Sequence, residues 1–175
     1  MQELDRRIYL KGQEVRLRFT KKEDAQMLVD LFYQLSPQTK WLRYHWHEHN
    51  YSEEEIWQQC YKMADVDWVH RGAVIATTIT PSGECCAVGV AQVARVRAED
   101  TEAEAAIVLR DDFQKKGLGK YLLRILSDKA RQMGITHVVG WVMPENIYLM
   151  KLVRRFGLEI ETKTEYGERK VRVTL

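Results

Sequence analysis

The segment EAEAAIVLRDDFQKKGLGKYLL (102–123) gathers residue types that could do chemistry. Glu102 and Glu104 precede an apolar run, Asp111 and Asp112 follow it, and Gly117 and Gly119 then open an amphipathic stretch. A helix start presents free backbone N–H groups and the positive end of its dipole, and glycine lets an anion approach that backbone closely. Residues 115–120 therefore read either as a phosphate or pyrophosphate site or as a plain turn with glycines at a helix start. Lys115 and Lys116 would support the anion in the first case and form a solvated face in the second. Two phosphate motifs are excluded. A Walker loop needs glycine where Gln114 stands and Ser or Thr where Tyr121 stands, and the dinucleotide fingerprint needs glycine in place of Leu122.

Other reactive groups are less organised. His45, His47 and His49 alternate along HWHEHN, so an extended chain would point all three one way. No cysteine or distant His/Asp pair accompanies them, and the expectation is no metal; lining a cleft is the alternative role. Cys60, Cys85 and Cys86 show no framework spacing, which suits a reducing compartment and predicts a cytoplasmic protein.

The chain that must position these groups has 175 residues, the length of one domain over 1–175. Lys+Arg 27 against Asp+Glu 25 leaves a formal charge of +2, which gives no bulk attraction to nucleic acid or membrane. No apolar stretch approaches the roughly 18 residues of a membrane span. Residues 1–14 carry no assigned role; an added edge strand and dimer contacts are both open, and a homodimer is compatible with the chain.

VRLRF (15–19) alternates as a strand. Thr20 and Glu23 have capping-box spacing for a helix presenting Leu28, Leu31, Phe32 and Leu35, which stops near Ser36-Pro37. Residues 40–50 show no period and read as a loop. Ser52 and Glu55 form a second capping box, leading a helix through Ile56, Cys60 and Met63. Strand-like runs follow at 69–79, 86–96 and 104–110. A helix is expected from Gly119 to Met133, ended by Gly134. A buried-looking strand at 136–143 precedes a helix from Pro144 to Phe156, and a terminal hairpin turns around EYGE. The order β-α-α-β-β-β-α-β-α-β-β describes a mixed α/β or α+β domain.

VLRDDFQKKGLGKYLL resembles the acyl-CoA-binding signature of the GNAT N-acetyltransferase superfamily, Gln/Arg-x-x-Gly-x-Gly/Ala after a central strand. Here it reads Gln114-Lys115-Lys116-Gly117-Leu118-Gly119. VMPENIYLMKLVRRFGL stands where the family has a strand and a helix that opens on Asn and closes on Gly-Phe; Leu158 replaces that Phe. The resemblance implies the GNAT fold, a mixed, mostly antiparallel sheet with splayed central strands flanked by helices, and acetyl-CoA as acyl donor. It implies that backbone groups near Ile107, Val108 and Leu109 pair with the pantetheine arm. N–H groups from Lys115 to Lys120, Leu118 included, would cradle the pyrophosphate, and Asn146 would bond the arm near its thioester.

Attack on a thioester needs a neutral amine, and a carboxylate whose pKa is raised by partial burial can take the proton. Backbone N–H groups can stabilise the developing oxyanion. The stretch is most similar to the Pat-like bacterial protein lysine acetyltransferases, in which the glutamate aligned with Glu104 is regarded as the general base. On a strand Glu104 shares a face with Ala106 and Val108; its other reading is an edge-strand charge. Asp111 and Asp112 adjoin the turn and are expected to be solvated. SPQTKWLRYHWH (36–47) resembles the same branch near its acceptor site, where Trp41, Arg43 and Tyr44 match in type. The family's acid tyrosine is replaced by Val153, with Tyr148 the nearest substitute. The resemblance thus implies acetyl transfer to an amine, a protein lysine first. A small-molecule or amino-acid acceptor, and a CoA-binding regulatory module without turnover, are the alternatives.

Overall fold

A computed structural model describes residues 4–44 and 51–175. The first strands form a hairpin, β1 (Asp5–Leu10) and β2 (Gln13–Phe19), whose turn residues Lys11 and Gly12 both take left-handed backbone angles. Residues 5–10 thus supply the edge strand that the sequence left open. A 3-10 turn (Lys22–Asp24) leads into α1 (Ala25–Gln34). The cap is not Thr20–Glu23: Asp24 accepts from the Lys21 N–H at 2.8 Å, while the Thr20 hydroxyl donates to the Met63 carbonyl. The second capping box does form, with Ser52 and Glu55 bonded reciprocally at the start of α3 (Glu53–Ala64).

Between them lies a correction. Pro37–Tyr44 is a helix, α2, where a loop was expected. Pro37 occupies its first turn, where a missing N–H costs nothing, and the Ser36 hydroxyl accepts from the Thr39 N–H at 3.2 Å. His45, His47 and His49 lie outside the described residues.

Strands β3 (Arg71–Ile79), β4 (Cys85–Ala94) and β5 (Glu102–Leu109) continue antiparallel, followed by α4 (Leu118–Gln132), β6 (His137–Val142) and α5 (Ile147–Arg154). The last hairpin is β7 (Ile160–Glu165) and β8 (Glu168–Thr174). α5 is shorter than expected: Pro144 precedes it, and Asn146 caps it by accepting from the Leu149 N–H at 3.2 Å. The eight-stranded sheet runs β1-β2-β3-β4-β5-β6-β8-β7. Among these pairings β5–β6 alone is parallel.

One sheet face packs on α4 through Val15, Leu17, Val74, Val88 and Val93 against Leu118, Leu122 and Leu126. The other packs on α1 and α3 through Ala73, Ile75, Val90 and Val108. α5 covers β6 and β8 through Met150, Val142, Val171 and Val173. Leu118 and Leu122 have no exposed surface, and each such leucine contributes about 1.5–3 kcal/mol. That burial fixes the start of α4, and with it the glycine corner.

Candidate active site

The parallel pair sets the geometry. β5 and β6 are in register only at Glu102–His137, Ala103–Val138 and Glu104–Val139. Beyond Glu104 they part, although Gly140 still approaches the Ala105 carbonyl so closely that a Cβ there would lie 3.3 Å from it. The freed edge of β5 can be assigned by alternation. The Arg110 N–H donates to the Val88 carbonyl at 2.9 Å, so the peptide groups of Val108 and Ala106 also turn toward β4. Those of Ile107 and Leu109 turn into the cleft. Ile107 and Leu109 therefore fit an extended ligand along the wedge, whereas the backbone of Val108 is spent on β4 and only its side chain, on the opposite face, borders the cavity.

The corner follows directly. Lys115 (φ 57°) and Gly117 (φ 93°) are both left-handed, and the Lys120 N–H closes onto the Gly117 carbonyl at 3.1 Å. Ahead of that bond, the N–H groups of Leu118 and Gly119 have no intrahelical acceptor. Gly119 is buried, and a Cβ on it would meet Leu152 of α5 at 2.8 Å, so glycine here lets two helices approach. Lys115, Lys120, Lys151 and Arg155 line the cavity at this end, a cationic rim suited to phosphate. The last two lie one helical turn apart on α5 and were not anticipated from sequence. The Gln114 side chain turns inward, donating to Thr39 Oγ1 (3.0 Å) and the Leu109 carbonyl (3.1 Å), so it shapes the corner without facing a ligand. Lys116 leans over the Phe113 ring. Asn146 keeps its amide nitrogen free of partners among the described residues, since only Oδ1 serves the cap.

Tyr148 sits at the outer end. The Lys115 ammonium lies 4.1 Å from its ring centroid, and a hydrogen bond with Lys115 lowers its phenol pKa. It is exposed beside the phosphate rim, not inside the wedge. Val153 lines the cavity and offers no proton.

Glu104, the last residue of β5 paired with β6, borders the cavity and projects with Ala106 and Val108 toward the α1–α3 side. It is exposed and has no hydrogen-bond or ion-pair partner among the described residues. Glu102 is instead bound by Arg172 at 2.7 Å. Asp111 and Asp112 are not free in solvent. Asp112 pairs with Arg110, and Asp111 accepts from Ser36 and Thr39. Burial works against ionisation of Asp111, but those hydrogen bonds outweigh it and hold its carboxyl below the usual carboxylate range.

Arg43 and Tyr44 of α2 and Gln59 of α3 line the same cavity as Glu104. Trp41 is not among the lining residues. Arg43 stacks on Tyr44 with 4.9 Å to the ring centroid, and its Nε is buried without a partner among the described residues. Burial also pushes the Tyr44 phenol up to about 12, keeping it neutral. The whole cavity measures about 1150 Å³, above the usual 300–1,000 Å³ of a one-ligand pocket. It has room for a cofactor arm and an acceptor. Among the described residues no group of three His, Cys, Asp or Glu could hold a metal ion, and no helix is long and apolar enough to cross a membrane.

A parallel pair that parts at mid-length, next to a glycine corner on a cationic rim, is the framework of an acyl-CoA N-acyltransferase. The family model of the acetyltransferase (GNAT) domain matches residues 14–159, and the chain belongs to this family. A Pseudomonas aeruginosa protein, Acetyltransferase PA5475, is 29% identical over 123 residues; the match spans 70% of this chain and 63% of that protein. Among solved structures, the GNAT domain of S. lividans PAT superposes with a TM-score of 0.80 at 24% identity, covering 98% of this chain and 97% of that one. The Salmonella typhimurium protein yncA with its cofactor acetyl-CoA gives a TM-score of 0.65 at 16% identity, covering 92% and 94%. At these identities the structures share the fold.

Proposed function

We propose that the enzyme acetylates a lysine side chain of a protein, with Glu104 as general base. One observation carries the base assignment: Glu104 is a carboxylate without a partner among the described residues, at the point where β5 and β6 part, on a cavity with room for two substrates. Bound acetyl-CoA supplies an electrophilic thioester carbonyl and a thiolate leaving group. The chain supplies the rest. Cleft-facing groups of Ile107 and Leu109 hold the arm, and the Asn146 amide is a free donor at its inner end. Residues 115–120 hold the pyrophosphate, with Lys115, Lys120, Lys151 and Arg155 neutralising it. Glu104 takes the ammonium proton of the acceptor, and a cleft-facing N–H of β5 meets the charge that develops on the carbonyl oxygen. Val153 stands where the family has its acid tyrosine, and the exposed Tyr148 lies outside the wedge, so in this reading solvent returns the proton to the thiolate.

The lysine acceptor is supported by the resemblance of residues 102–119 to the Pat-like branch and by the likeness to the S. lividans PAT domain. A second reading, a CoA-binding module without turnover, draws on Val153 standing where relatives carry tyrosine. Thiol release from acetyl-CoA with a panel of lysine peptides, polyamines and amino acids separates the readings. Lysine peptides are expected to be turned over best. Preference for free amino acids would sink the lysine assignment, and tight acetyl-CoA binding without any acceptor would support the silent module.

A further inference from the structure

Side-chain hydrogen bonds from Arg110, Asp111 and Gln114 cross from the corner to α1 and α2. Arg110, just after β5, donates to Gln34 Oε1 at the end of α1 (3.0 Å). Asp111 holds the start of α2. Its Oδ2 accepts from the Ser36 N–H at 2.9 Å, and its Oδ1 accepts from the Ser36 hydroxyl at 2.5 Å and the Thr39 hydroxyl at 2.7 Å. Gln114 extends the chain, donating to both Thr39 Oγ1 and the Leu109 carbonyl. A hydrogen-bonded path thus runs from the first turn of α2, through Asp111 and Gln114, to the cleft-facing edge of β5.

α2 depends on this path. It has eight residues, far below the length at which a helix holds itself together. Its one buried residue is Thr39, a latch member, so apolar packing does little at this end. At the other end Tyr44 meets Phe32 edge-on, with ring centroids 5.3 Å apart. Of the acceptor wall, Arg43 lies between the two anchors and Tyr44 is itself the second one. Bonds to an ionised carboxylate are roughly twice as strong as neutral ones, and they fix direction as well as distance.

We propose that Asp111 is a positioning residue for the acceptor. By holding Ser36 and Thr39 it sets α2 against the cleft, and it does so from the corner that binds the cofactor without itself touching either substrate. The proposal rests on α2 being the acceptor wall of the amine-acetylating site.

The test compares Asp111→Asn, Thr39→Val and Thr39→Ser in the full chain. Asp111→Asn and Thr39→Val are expected to raise the acceptor KM about tenfold, with kcat and the calorimetric acetyl-CoA Kd each within about twofold of wild type. Thr39→Ser keeps the hydroxyl and is expected to restore the wild-type KM. Hydrogen exchange, which needs no acceptor, is expected to speed up at least tenfold in α2 of Asp111→Asn and to stay unchanged in α4. Unchanged α2 exchange would overturn the latch, whatever the acceptor proves to be. Faster exchange with an unchanged acceptor KM would overturn the acceptor role while leaving acetyl transfer intact. Parallel losses in acetyl-CoA affinity and kcat would mark Asp111 as merely structural and overturn the proposal.

Discussion

Replacing Glu104 by Gln tests the catalytic assignment most directly, because the structure isolates one effect. Glu104 is exposed and has no partner among the described residues, so the isosteric amide breaks no contact. Stability is expected to stay within about 0.5 kcal/mol. The rate is another matter. A positioned base contributes about 10²–10⁴-fold, or about 2.7–5.4 kcal/mol of barrier. A lysine amine with a pKa of about 10.4 is neutral in roughly one molecule in 2,500 at pH 7. The variant must wait for that fraction, so its kcat/KM is expected to climb about tenfold per unit between pH 7 and 9. With Glu104 as base, the wild-type protein is expected to gain far less over the same range. Initial rates of thiol release against pH, with a thermal melt as control, measure both slopes. A variant within about threefold of wild type at pH 7, or a gap that stays constant to pH 9, would remove Glu104 from proton transfer.

Three further outcomes follow from local geometry. Gly117→Ala meets no atom within 4 Å, so its cost is the left-handed backbone alone: a loss of about 1–3 kcal/mol in urea unfolding. Asn146→Ala removes the α5 cap and is expected to cost about 0.5–2 kcal/mol. Asn146→Asp keeps the cap but loses the free amide donor, and should weaken acetyl-CoA binding by calorimetry without a matching loss of stability. Burial pushes the Cys60 thiol up to about 12, while Cys85 is exposed. Peptide mapping after treatment with a disulfide reagent should find Cys85 modified in the native protein and Cys60 only after unfolding.

Local signals were legible in the sequence and distant ones were not. Ser52 and Glu55 cap α3 as expected because both partners lie within one turn. The start of α4 was readable because Gly117 combines a left-handed angle with an apolar period after it. Thr20 and Glu23 had the right spacing but lost to Asp24, because Thr20 finds a partner at Met63, across the fold. α2 was missed because residues 40–50 carry no period, yet Ser36-Pro37, taken only as a stop, is also a start signal. The edge hairpin had its sign in Lys11-Gly12. The latch had none: Asp111 meets Ser36 and Thr39 from 75 and 72 residues away, and no local pattern reports such a pairing. The wedge itself was reached by family resemblance, since the point where β5 and β6 part depends on Gly140 and Ala105 meeting across strands.

The latch also has an acid limit that follows from its chemistry. Asp111 is held ionised by hydroxyl and amide donors, not by a cation, since the nearby Arg110 is taken by Asp112. Its folded-state pKa lies below the unfolded value of 3.8. A carboxylate depressed in this way stabilises the fold above its unfolded pKa, and that contribution is lost as pH falls through the folded value. The stability gap between wild type and Asp111→Asn should therefore hold steady from pH 7 to about 5 and shrink below about pH 4. Asp5, Asp67 and Asp112 are likewise depressed, but both proteins contain them and their titration cancels in the difference. Urea unfolding of the pair across this range reads the gap directly. A gap that widens toward acid would mean that Asp111 is more readily protonated in the fold than outside it, which the three donors around it forbid. α2 would then have to be held by something other than this carboxylate.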